Sequence, residues 1–213
     1  MNISFRMKKF LLIDDHEVVR SGIRVLLSEI YKPSVIDEAP NGELALEKLQ
    51  NSGYDLAILD IQIPHTDTFD LMEFLRIKYP SLKVLIFSMS SENIYAKRFL
   101  KAGARGFISK SASLEEIKKA IKVVLNNHKY ISDSMIDMLA EGNGNNDSNP
   151  FNTLSTREFE IATLLLNGVT ISKIAASLQL RVSTIGTHKS RIFEKLSVTN
   201  LLEMKELANI YNL

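Results

Sequence analysis

Four apolar runs in this chain end in groups that can do chemistry. "FLLI", Phe10 to Ile13, leads into Asp14 and Asp15, and "LAIL", Leu56 to Leu59, leads into Asp60. "VLIF", Val84 to Phe87, leads into Ser88, and "GFIS", Gly106 to Ser109, leads into Lys110. One aspartate after such a run reads as a turn former at a loop entry. Three carboxylates, a hydroxyl and an ammonium, each at the end of a run, read as one constellation. Clustered carboxylates repel unless a cation joins them. Oxygen donors in a chain with no cysteine suit a hard ion such as Mg²⁺. A hydroxyl and a lysine beside that ion are donors for phosphoryl oxygens. An aspartate in the same place can act as nucleophile. The chemistry this set implies is phosphoryl transfer to a carboxylate.

The runs must be strands for their ends to meet. They occur at "KFLLI", "SVID" (ending Asp37), "DLAIL", "KVLIF" and "GFIS", and they are continuous rather than alternating, as in strands covered on both faces. Between them lie stretches with helical spacing, such as "HEVVRSGIRVLLSEI" and "DLMEFLRIKY". Five strands separated by helices predict a parallel, doubly wound, flavodoxin-like α/β sheet. In such sheets all C-terminal strand ends share one edge, where ligands bind. Ser113 and Glu116 in "SLEE" predict a capping box at the last of these helices.

At 213 residues the chain suits two modest domains. "EGNGNNDSNP", Glu141 to Pro150, has almost nothing to bury and reads as a flexible linker. The expected division is therefore residues 1–140, a linker at 141–150, and residues 151–213. Without cysteine, disulfides and thiol chemistry are excluded, and no apolar run has the length of a membrane span. A cytoplasmic location fits these features. From Phe151 onward seven basic residues face five acidic ones, net +2, so bulk charge does not mark this part as binding nucleic acid.

That last part is patterned as four helices. "STRE", Ser155 to Glu158, is a capping box, and its helix stops at Asn167-Gly168. A short helix over 171–178 has Thr170 as N-cap, a longer one spans about 182–196, and a last one covers about 201–211. A short helix, a tight turn and a second helix form the geometry that sets the second helix in a DNA major groove. On that helix Val182, Ile185, Ile192, Phe193 and Leu196 share an apolar stripe, with Ser183, Thr187, Ser190, Arg191 and Glu194 opposite. Lys189 falls at the stripe's edge, from which it can snorkel outward. In the last helix Leu201, Leu202, Leu207, Ile210 and Tyr211 suit either a dimer seam or core packing.

Residues 8–130 resemble the receiver domain of two-component response regulators, through "LLIDD", "LAILDIQIP", "VLIFSMS" and "GFISK" in order. The resemblance implies Asp60 as phosphoacceptor and Asp15 as the main Mg²⁺ carboxylate. It implies Asp14 acting largely through water, and the Gln62 backbone carbonyl as a further ligand. Lys110 would pair with the phosphoryl group, Ser88 would hydrogen-bond to it, and Phe107 stands at the family's aromatic switch. Departures are "PHTDT", with His65 and Thr68 where the family usually has glycine, and Phe107 in place of the commoner tyrosine. Gln62 and Ser90 occupy positions that tune phosphate lifetime in this family.

Leu154 to Val198 resembles the LuxR-type helix-turn-helix, through "LSTREFEI", "NGVTISKIAASL" and "STIGTHKSRIFEKLSV". With the receiver this is the arrangement of the NarL/FixJ subfamily. It implies base contacts at Gly186, Thr187 and Ser190, phosphate contacts at Lys189 and Arg191, and a structural or phosphate-contacting His188. Gly186 replaces a basic residue, and Arg181 stands at the usual Ser/Thr N-cap. The implied partners are a sensor histidine kinase, double-stranded DNA and, once phosphorylated, a second copy of the chain, with no membrane. The implied protein is a transcription regulator rather than a turnover enzyme. Two other readings stand beside it: a regulator that works without phosphorylation, and a phosphatase with an aspartate nucleophile.

Overall fold

The computed structural model describes residues 7–64, 66–90, 92–132, 135–136, 149–178, 180–211 and 213. His65 and most of the expected linker, residues 141–148, lie outside the described residues. The chain divides into two compact units, residues 1–136 and 137–213. Among the described residues no helix is long and apolar enough to cross a membrane.

In the first unit strands and helices alternate: β1 Lys8–Ile13, α1 Glu17–Ile30, β2 Ser34–Ala39, α2 Gly42–Asn51, β3 Leu56–Leu59, α3 Thr68–Lys78, β4 Lys83–Ser88, α4 Glu92–Ala102, β5 Gly106–Ser109 and α5 Leu114–Leu125. All pairings are parallel, in the order β2-β1-β3-β4-β5, so strand order reverses between β1 and β3. Successive side chains of each strand enter opposite faces. Phe10, Leu12, Ile58, Leu85, Phe87 and Ile108 meet Ile23, Leu27, Ile117, Ile121 and Val124 of α1 and α5 in one core. On the α3–α4 side the Phe69 and Phe99 rings stack with centroids 3.9 Å apart.

β2 continues past Asp37 to Ala39, beyond the predicted end. Its next residue, Glu38, carries a carboxylate that hydropathy alone reads as a stop. Glu38 is instead held by Arg20 at 2.9 Å and Arg24 at 2.6 Å from α1, and burial resisting its charge is outweighed by these two guanidiniums, so its pKa lies below the ordinary glutamate value. At the other sheet edge Tyr130 forms a single parallel bridge to Gly106. A side chain at Gly106 would place Cβ 2.9 Å from Tyr130 Cβ, so only glycine permits this approach.

The second unit is helical: a 3₁₀ turn at Pro150–Thr153, then α6 Thr156–Leu166, α7 Ile171–Ser177, α8 Val182–Leu196 and α9 Leu201–Ile210. Asn149 and Pro150, at the end of the expected linker, cap and open the 3₁₀ turn. Both halves of the Ser155–Glu158 capping box form. Ser113 caps α5 by accepting from the Glu116 N–H at 3.2 Å. Arg181 gives α8 no side-chain cap. Ile185, Ile192 and Leu196 are buried as the stripe predicted, but Val182 is 54 % exposed. Val182 is the first residue of α8, and the buried stripe begins one turn later. In α9 the core is taken by Met204 and Ala208, leaving Leu202 and Ile210 exposed at 67 % and 72 %.

Candidate functional site

Backbone ladders bring the polar strand ends together. The Asp14 N–H donates to Ala39 O, Asp60 N–H to Ile13 O, and Lys110 N–H to Ser88 O, at 3.1, 2.8 and 2.9 Å. These bonds continue the sheet one residue past each strand, so the functional residues inherit its rigidity. Beyond Asp60 the chain is fixed by the buried Thr68 hydroxyl, which donates to Ile61 O at 3.0 Å. That bond gives Thr68 a use a glycine there could not supply.

Lys110 is the hub. Its Nζ lies 2.7 Å from Asp14 Oδ2 and 2.7 Å from Asp60 Oδ2, with all three side chains buried. Burial resists its charge, but hydrogen bonds to Asp14 and Asp60 and their charges prevail, and its pKa is held above the ordinary lysine value. The second Asp60 oxygen, Oδ1, accepts a longer bond of 3.2 Å from the Gln62 N–H. Asp15 is less buried than Asp14, and its Oδ1 has no hydrogen-bond partner.

Donor atoms of Asp14, Asp15, His16 and Asp60 all lie within 4.8 Å of one another. Two carboxylates at that spacing repel by about 3.5 kcal/mol at an effective dielectric near 20, and Lys110 offsets only part of the combined charge. The unpartnered Asp15 oxygen and this uncompensated charge fit a hard divalent cation held by Asp14, Asp15 and Asp60.

Ser88 lies on the same edge, fully buried, with its Oγ accepting, among the described residues, a 3.3 Å bond from the Ser90 N–H. Ser90 Oγ is buried without a partner. Phe107 pairs in register with Ile86 and is 1 % exposed, so its ring points into the core. Gln62 is exposed at the rim. His16 was not singled out from sequence, although its place directly after the acidic pair was visible in "DDH".

The helix α8 presents Thr187, Ser190 and Arg191 to solvent. The two hydroxyls donate back to carbonyls one turn earlier, Ser183 O at 3.1 Å and Gly186 O at 3.2 Å, leaving their lone pairs outward. Lys189 lies over the Phe193 ring at 5.2 Å from its centroid, a cation–π contact at the stripe's edge. Gly186 has open space where a Cβ would stand. His188 is half-buried with Nδ1 unpartnered, and burial, with Arg157 and Arg191 acting the same way against Glu158, lowers its pKa. Glu158 itself accepts from Lys195 Nζ at 2.6 Å and Ser155 N–H at 2.7 Å, locking α8 to the start of α6.

Comparison with known proteins places both units. The model of the response regulator receiver domain matches residues 10–122. The model of bacterial regulatory proteins of the luxR family matches residues 152–208. The response regulator GacA of Pseudomonas aeruginosa is 33 % identical over 204 residues, 95 % of each chain. The virulence factors putative positive transcription regulator BvgA of Bordetella pertussis is 36 % identical over 210 residues, 96 % of this chain and 98 % of that one. Among solved structures, RcsB of Salmonella enterica serovar Typhimurium, bound to promoter rprA in the presence of phosphomimetic BeF₃⁻, shares the fold. Its TM-score is 0.70 at 23 % identity, covering 95 % of this chain and 98 % of that one.

Proposed function

This chain belongs to the response regulators of the NarL/FixJ type, a receiver domain joined to a LuxR-type DNA-binding domain, and we propose that it is switched by phosphorylation of Asp60. The observation that carries this reading is Lys110 Nζ at 2.7 Å from both Asp14 and Asp60 at one sheet edge. Asp60 Oδ1, the oxygen not held by Lys110, forms the P–O bond while the P–N bond of a kinase phosphohistidine breaks. Lys110 then has a phosphoryl oxygen to bind, and the Ser88 hydroxyl, whose Oγ accepts from the Ser90 N–H at 3.3 Å, gains a phosphoryl acceptor to donate to. Mg²⁺, when bound by Asp14, Asp15, Asp60 and the Gln62 carbonyl, neutralises charge on the phosphoryl oxygens. Phe107, buried beside the β4 end, follows the movement of Ser88 and changes the receiver surface.

In this reading residues 1–140 are the receiver, 141–150 the linker and 151–213 the DNA reader. The reader docks α8 in the major groove, with Gly186, Thr187 and Ser190 toward base edges, Lys189 and Arg191 toward phosphates, and His188 at the helix's inner side. The phosphorylated chain dimerises, and the exposed Leu202 and Ile210 of α9 favour a seam there over further core packing. The chain takes part in its own phosphorylation and hydrolysis in the cytoplasm and is not a turnover enzyme; the attached reader supports that over a phosphatase.

The test measures size and DNA affinity with and without beryllofluoride and Mg²⁺, for wild type and Asp60→Asn. The expected result is beryllofluoride-dependent dimerisation and tighter DNA binding in wild type alone. Equal responses in both proteins would establish the phosphorylation-independent regulator instead.

A further inference from the structure

We infer that Arg20 of α1 is a positioning residue, whose planar guanidinium fixes the peptide between Asp14 and Asp15 and thereby speeds phosphoryl transfer to Asp60. The inference rests on the reading of Asp60 as the phosphoacceptor and adds to it a residue from outside the acidic cluster.

Asp14 is held at each of its polar atoms. Its N–H donates to Ala39 O at 3.1 Å. Its Oδ1 accepts from the His16 N–H at 2.9 Å, and its Oδ2 lies 2.7 Å from Lys110 Nζ. The fourth atom is the backbone carbonyl, which accepts from Arg20 Nη1 at 2.7 Å. That carbonyl belongs to the peptide joining Asp14 to Asp15, so fixing its plane fixes the direction in which Asp15 leaves the strand end. Asp15 Oδ1 has no hydrogen-bond partner and depends on this backbone for its place.

Arg20 reaches two elements with two nitrogens of one rigid group. While Nη1 holds Asp14 past the end of β1, Nε donates to Glu38 Oε2 near the end of β2 at 2.9 Å. Neutralising Glu38 does not require this arrangement. Arg24 already binds the other oxygen, Oε1, at 2.6 Å, from a side chain 48 % exposed, whereas that of Arg20 is 11 % exposed. A cation near the start of a helix is also opposed by the partial positive charge of the N-terminus, and Arg20 is the fourth residue of α1. An arginine set against the dipole and largely out of water is accounted for by the carbonyl it reaches. Lysine has the same charge on one nitrogen and lacks the fork.

The test uses the full-length chain with Mg²⁺ and acetyl phosphate, whose bond from phosphorus to acetate breaks as the bond from Asp60 Oδ1 to phosphorus forms. Phosphoprotein is read by intact mass at a temperature below the melting transitions, for wild type, Arg20→Lys, Arg24→Gln and Asp60→Asn. Arg20→Lys keeps the charge beside Glu38, so its Tm should stay within about 3 °C of wild type. Its phosphorylation rate at saturating Mg²⁺ should fall about tenfold or more. In the metal-free protein the amide resonances of Asp15 and His16 should shift in Arg20→Lys and stay in place in Arg24→Gln, whose rate should remain within about twofold of wild type. A wild-type rate and unmoved amides in Arg20→Lys overturn the inference and leave the Asp60 reading standing. Equal slowing in Arg24→Gln also overturns it, because both arginines would then act only as supports of β2. Phosphoprotein formed at the wild-type level in Asp60→Asn overturns the reading of Asp60 itself.

Discussion

Replacing Lys110 by methionine removes the positive charge shared by Asp14 and Asp60 and keeps a side chain of similar length. Both pairs are 2.7 Å long and buried, so the variant leaves buried carboxylates facing one another without their ammonium. Breaking a buried ion pair from one side costs about 3–5 kcal/mol. Unfolding entropy near 2.1 cal/mol/K per residue, over the 136 residues of the first unit, gives about 0.29 kcal/mol/K. The expected fall in Tm of the receiver transition is therefore about 10–17 °C, read by calorimetry at neutral pH in the presence of a chelator. A divalent cation replaces part of the missing charge, so Mg²⁺ should raise the Tm of Lys110→Met more than that of wild type. Asp60→Asn in the Lys110→Met background removes one of the stranded charges and should recover part of the loss, which a double-mutant cycle measures. A Lys110→Met protein melting within about 3 °C of wild type, with no added response to Mg²⁺, would refute the account of Lys110 as the hub.

Because the Lys110 pKa is raised on folding, its stabilisation is complete below the ordinary lysine value and is lost as pH rises through the raised one; receiver stability should fall in that alkaline window in wild type and not through this group in Lys110→Met. Glu158 is the opposite case: burial resists its charge, but Lys195 and Ser155 win and depress its pKa, so its contribution is present above the ordinary glutamate value and lost as pH falls through the depressed one. Glu158→Gln should cost the helical unit about 1–3 kcal/mol at neutral pH and flatten its acid unfolding limb. Gly186→Ala meets nothing within 4 Å and should stabilise the helical unit by about 1 kcal/mol in thermal melts. Arg191→Ala should weaken DNA binding evenly across sequences and reduce the salt slope by about one, whereas Thr187→Ala should change sequence preference with the slope unchanged.

The receiver fold was readable because its central strands are buried on both faces, and runs such as Leu56–Leu59 have no competing helical period. The polar constellation was readable for the same reason, since each group follows its run directly and parallel topology carries it to the shared edge. β2 was misjudged at its end because Glu38 owes its place to Arg20 and Arg24, two residues of α1 that no local pattern connects to it. The Gly106–Tyr130 bridge involves one residue pair and leaves no period to detect. Val182 shows the limit of helical wheels, which assign a face but not where along the helix packing begins. His16 and Glu158 escaped because their meaning lies in partners: one was read as the opening of a helix, the other as half of a capping box.

The distances in the receiver pocket also constrain how a modification at Asp60 can be felt elsewhere. Moving a two-state equilibrium from 1:99 to 99:1 requires about 5.5 kcal/mol of differential interaction. One charge-assisted hydrogen bond from Ser88 supplies about 1.5–3 kcal/mol, too little alone. Ser88 starts from a 3.3 Å bond and is inexpensive to move, whereas Phe107 is 1 % exposed and moving its ring costs core packing, so neither supplies the driving force by itself. Lys110 is different. It is divided between Asp14 and Asp60, and a phosphoryl group on Asp60 places added negative charge beside the same ammonium. In the proposed switch, drawing Lys110 toward that charge would loosen its hold on Asp14 and, through the Lys110 N–H to Ser88 O bond, move the ends of β4 and β5 together. By this arithmetic the proposed switch would need the lysine and the serine acting jointly, from the ends of the neighbouring strands β4 and β5.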